Sequence, residues 1–119
     1  MAERQFAAIA MLRLLDIVNA WPCPDRKTML VIDRLASNLE LNDADRVAIG
    51  WRAAGTGEFE YQSSAILARE ISDGDAEKLL RMAENPPDGM EWTRREAALM
   101  NAIIEPLGGQ GWIAAKEKE

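Results

Sequence analysis

Apolar positions recur along this chain mainly at helical spacing, three to four residues apart, and the longest run with strand-like alternation is confined to residues 58–61. The pattern therefore predicts an all-α fold, a compact bundle of five to six short amphipathic helices with no significant sheet. A first helix is expected over residues 2–20. In it Phe6, Ala10, Leu14, Ile17, Val18 and Trp21 form a broad stripe opposite Gln5, Arg13, Asp16 and Asn19, and Pro22 and Pro24 stop it. A second helix begins near Asp25, whose carboxylate can accept from free first-turn amides, and carries Leu30, Val31, Ile32, Leu35 and Leu39 to about Glu40. Asn42 offers the cap of a third, with Asp43 and Asp45 in the first turn, Val47, Ala48, Trp51 and Ala54 inward, and Gly55 as the stop.

The segment 55–62 reads as a connecting loop whose Phe59 and Tyr61 pack onto the core. A fourth helix is expected over 63–71. Asp73 caps a fifth, in which Ala76, Leu79, Leu80 and Ala83 share a face, and Asn85-Pro86-Pro87 ends it. Thr93-Arg94-Arg95-Glu96 is a capping box, with Trp92 placed to staple against Ala97. The sixth helix then runs through Ala98, Leu99, Ala102 and Ile103 until Pro106 and Gly108-Gly109. This gives a helical domain over 1–109, followed by a C-terminal tail or short docking helix over 110–119.

The first hairpin, from Leu14-Leu15 through a Pro turn to Leu39, has an echo about 65 residues later, from Leu79-Leu80 through Pro86-Pro87 to Leu107. Helix, acidic turn and helix in this order is similar to the tellurite-resistance TerB-like helical domains, whose paired acidic turns are associated with metal. The first turn, Pro22-Cys23-Pro24-Asp25-Arg26, departs from the pattern because it lacks the Asp-Gly found at Asp88-Gly89. Generic amphipathic patterning produces such echoes, so no site residue is carried over.

Composition narrows the chemistry. The 119 residues include no histidine and one cysteine, which removes Ser-His and Cys-His catalysis, imidazole metal ligation and internal disulfides. No secretory signal is expected near the N-terminus, because Glu3, Arg4, Arg13 and Asp16 break the apolar run, and a soluble, cytoplasmic protein is the default. Cys23 beside Arg26 and Lys27 has the setting of a stabilised thiolate, but a lone cysteine is more commonly a small apolar filler. Neither acidic turn fits a calcium loop. With Gly74 at the sixth position, Ile71 falls third and Leu80 twelfth; with Gly89 there, Pro86 and Arg95 do. No phosphate-binding Gly-rich motif or nucleophile elbow is present. The expectation is a non-enzyme with no cofactor and no metal.

With 14 basic and 20 acidic residues the net charge is -6, and the excess is larger after residue 60. Such a balance disfavours nucleic acid and suits a protein partner with a basic surface. The leading expectation is a small acidic regulator, inhibitor or adaptor of bacterial or phage type, binding another protein through Trp112 and Ile113 and through Asp73, Asp75 and Glu77. Two other classes remain. One is a helix-turn-helix DNA-binding regulator contacting nucleic acid through Arg94 and Arg95. The other is a self-assembling structural component using Trp112 and Ile113 as its homo-oligomer contact.

Overall fold

The chain opens with a strand, not a helix. In the computed structural model, which describes residues 2–55 and 57–109, the order is β1 (Ala2–Ala7), α1 (Ala8–Asn19), α2 (Arg26–Leu39), α3 (Asp43–Ala48), β2 (Arg52–Ala53), β3 (Phe59–Glu60), β4 (Ile66–Ile71), α4 (Asp73–Glu84) and α5 (Ala97–Ile104). Single 3-10 turns at Arg94–Glu96 and Glu105–Leu107 flank α5. The expectation of an all-α bundle is therefore wrong: two small antiparallel sheets, β1 with β4 and β2 with β3, are built among the helices.

The cause is pairing between segments far apart in sequence. β1 and β4 align Arg4 with Arg69, Phe6 with Leu67 and Glu3 with Glu70. Read in this register, 66–71 alternates: Leu67 and Ile71 are buried and Arg69 is half-buried, while Ile66, Ala68 and Glu70 face out. Its Leu, Ala, Arg and Glu content favours a helix locally, but burial of Leu67 against Phe6 overrides that preference. Helix α1 thus starts at Ala8, without a side-chain cap. Its first amide donors are satisfied from a distance, Ala8 N–H by the Ala65 carbonyl at 2.8 Å and Ile9 N–H by that of Ser63 at 3.1 Å.

The core gathers around α1, which buries Ala10, Met11, Leu14, Ile17 and Val18 and packs against α2, α4 and α5. Phe6, Leu67 and Ile71 close it from the sheet, Leu79 and Met82 from α4, and Ile103, Ile104 and Leu107 from the C-terminal end. α2 buries Leu35, Ala36 and Leu39, packs chiefly on α1 and leaves Met29 and Leu30 exposed.

Several boundaries agree with the local signals. The Asp25 carboxylate accepts from Thr28 N–H at 2.7 Å, a bond that holds its carboxyl below the usual range. Asn42 and Asp45 form a capping box, as do Thr93 and Glu96, although the latter opens a 3-10 turn before α5. Other boundaries differ. Ser72, not Asp73, caps α4, and α3 ends at Ala48, six residues before Ala54. The segment 110–119, expected as a tail or docking helix, lies outside the described residues.

Candidate protein-docking surface

Arg69 organises the corner on which the site is built. From β4 its guanidinium reaches the Asp45 carboxylate at 2.5 Å, the Asn38 carbonyl at 2.8 Å and the Glu40 carbonyl at 3.1 Å. One side chain thereby joins the end of α2 to the start of α3, and both members of the ion pair are only 12% exposed. Burial alone pushes the Asp45 carboxyl up. The Arg69 hydrogen bond, the Asn42 amide and the Arg69 charge outweigh it and hold the group below the usual carboxylate range.

Beyond α3 the chain enters the β2–β3 hairpin, tied down by Gln62 N–H donating to the Ile49 carbonyl at 2.7 Å. A pair of two-residue strands is marginal by itself. Here an Arg52–Glu60 ion pair at 2.8 Å braces one face, and an aromatic stack fills the other. Trp51 lies between Phe59, 5.0 Å away at 26°, and Tyr61, 5.5 Å away at 18°. Each such pair contributes roughly 0.5–1.5 kcal/mol beyond its buried area. The sequence pattern places Trp51 inward on a continuing helix and packs Phe59 onto the core. Trp51 and Tyr61 do pack against the core, half-buried and from the hairpin region beyond α3, whereas Phe59 is 58% exposed.

The stack adjoins a groove. It is lined by Leu12 and Leu15 of α1, by Glu40 and Leu41 at the α2–α3 corner, and by Arg46 and Trp51, with a volume of about 280 Å³. Val47, next to Arg46 on α3, is 82% exposed. Half-buried leucines beside a stacked tryptophan, with exposed Phe59 and Val47 nearby, give an apolar surface that water covers poorly.

The residues singled out from the sequence fall elsewhere. Asp73, Asp75 and Glu77 all lie in the first half of α4, but each has a cationic partner. Arg4 meets Asp73 at 2.9 Å, Arg34 meets Asp75 at 2.6 Å, and Arg81 meets Glu77. They form no free acidic patch. Arg94 and Arg95 are exposed at the 3-10 turn, and no ion pair holds either one among the described residues. Arg94 lines a separate hollow of about 410 Å³ with Glu84, Glu91 and Trp92, carboxylates that oppose a phosphate backbone. Residues 85–93 separate α4 from that turn, far more than the three or four residues of a helix-turn-helix. Trp112 and Ile113 lie outside the described residues.

Comparison with protein-family models, curated proteins and solved structures finds no match for this chain. The resemblance to the tellurite-resistance helical domains thus has no family match behind it. Among the described residues no group of three or more Cys, Asp or Glu side chains is placed to hold a metal ion, and no helix is long and apolar enough to cross a membrane. Cys23 is half-buried between its two prolines, its thiol 3.4 Å from the Trp21 carbonyl.

This candidate surface is hard to see in the sequence because its parts come from α1, the α2–α3 corner and the hairpin. One signal could have found it. Trp51, Phe59 and Tyr61 bracket a Gly-containing turn at spacings suited to one face of a hairpin.

Proposed function

We propose that the protein acts by binding another protein through the hairpin stack and the adjoining groove of α1. The observation that carries this reading is the continuity of exposed Phe59 with Trp51 and of Trp51 with the Leu12–Leu15–Leu41 hollow. Interface centres favour large, rigid aromatic anchors beside apolar pockets, and Trp51 is already held in place by two ring contacts. A regulator, inhibitor or adaptor working in the cytoplasm fits a chain with one cysteine and no disulfide framework.

The double variant Val47→Asp/Phe59→Asp tests this directly. Both side chains are exposed and outside the buried core, so the overall fold should survive the loss of one ring from the stack, as circular dichroism and thermal unfolding would show. Affinity capture from cells that express the native protein should give a defined partner with the wild type, reduced at least about tenfold with the variant. A partner retained equally by both, or no partner with the wild type, would overturn the reading.

A further inference from the structure

The groove does not end at Leu15. It continues past Glu40 into a second hollow of about 330 Å³, floored by Ala36 and walled by Trp21, Met29, Ile32 and Asp33. The two hollows share Glu40: the second runs along α2 from Met29 to Glu40, the residue that caps the helix, and the first continues from there to Leu41 and Trp51. Eleven helical steps span about 16 Å, the length of roughly three turns of a second helix. Small Ala36 in the floor lets such a helix approach closely, and the flanking apolar side chains offer the ridges that helix packing needs.

Charge selects among the helices that would fit. Asp33 and Glu40 are exposed, and neither carboxylate has an ion-pair partner among the described residues, in contrast to Asp73, Asp75 and Glu77. They lie seven positions apart on one side of α2, about 10 Å along its axis. The cation in the lining, Arg46, is matched by Asp43 at 3.9 Å, and neither Arg26 nor Lys27 lines either hollow. A second copy of this chain would bring a further charge of -6 to an already acidic rim.

Building on the docking reading, we infer that the α1/α2 groove receives a basic amphipathic helix of another protein, at least about three turns long. Its apolar face lies on Leu15, Ile32 and Trp51, and Lys or Arg residues seven positions apart meet Asp33 and Glu40. Complementary charge of this kind sets specificity and register, while the apolar contacts supply most of the affinity.

The test uses two labelled helical peptides with one identical Leu-rich face, carrying either Lys or Glu at the two flanking positions seven apart. Each is titrated against the full chain at low salt and followed by fluorescence anisotropy. The Lys peptide should bind at least about tenfold tighter than the Glu peptide and weaken as salt shortens the screening length. The Asp33→Lys/Glu40→Lys variant should reverse the order, while Glu84→Lys/Glu91→Lys, at the separate hollow, should leave it unchanged. Equal affinities, no binding of either peptide, or a preference unmoved by the reversal would overturn the inference. If that happens while cellular capture still depends on Val47 and Phe59, only the basic-helix inference falls. If capture is also insensitive to those residues, the docking reading falls with it.

Discussion

Replacing Arg69 with alanine lowers the folding stability by about 3–5 kcal/mol, because it strands the Asp45 carboxylate in a site that is only 12% exposed. Against a typical total of about 5–15 kcal/mol for a domain, that is enough to bring the protein close to unfolding at room temperature. The loss has a second component. The carbonyls of Asn38 and Glu40 lose their donor, so the α2–α3 corner that places Glu40 and Leu41 in the groove is loosened as well. Chemical denaturation of wild type and variant measures the difference.

The pH dependence follows from the direction of the Asp45 shift. Its folded pKa is depressed below the ordinary value of 3.8, so its contribution is fully present above that value and disappears as pH falls through the folded pKa. Without Arg69 only the Asn42 amide is left to oppose burial, so Asp45 is less depressed in the variant, which loses less on protonation than the wild type does. The stability gap between them therefore narrows steadily as pH drops below about 4. A gap independent of pH between about 6 and 3 would contradict the buried ion pair.

Phe6→Ala is the second large effect, costing about 3–5 kcal/mol, since the ring is fully buried in β1 opposite Leu67. Gln5→Ala, next to it but facing out, should stay within about 0.5 kcal/mol. The decisive readout is amide hydrogen exchange. Weakening β1 at Phe6 should deprotect β4 around Leu67 and Arg69, more than 60 residues away in sequence, because the two strands share one ladder. If residues 2–20 formed one helix, protection would instead fall along α1 alone.

What could be read from the sequence was what local chemistry decides. Asp25, Asn42 and the Thr93–Glu96 pair announce helix starts through side-chain oxygens within three residues of the amides they satisfy. Proline and glycine mark the ends of α1, α4 and the C-terminal 3-10 turn, and the buried stripe of Leu14, Ile17 and Val18 identifies the central helix. The sheet is hidden because neither strand has an autonomous signal. Residues 2–7 flow into α1 across Ala7-Ala8 with no capping side chain, and 66–71 is composed largely of helix formers.

The site is obscured for the same physical reason. Asp73 and Asp75 look like free carboxylates until Arg4 and Arg34, 69 and 41 positions away in sequence, are folded against them. Trp51 keeps helical spacing with Val47 and Ala54, which disguises its stacking in a hairpin. Asp33 and Glu40 share a rim only once the hollows along α2 are formed.

The central claim is that the hairpin stack and the α1 groove form the surface on which a partner sits. Site-specific photo-crosslinking addresses it in the cell, whatever protein the partner turns out to be. A benzophenone amino acid placed at Phe59 or Leu12 should give one discrete adduct of the same mass, while the same probe at Glu70 on the outer face of β4 should give none. Adducts at Glu70 matching those at Phe59, or no adduct at Phe59 and Leu12, would contradict the account.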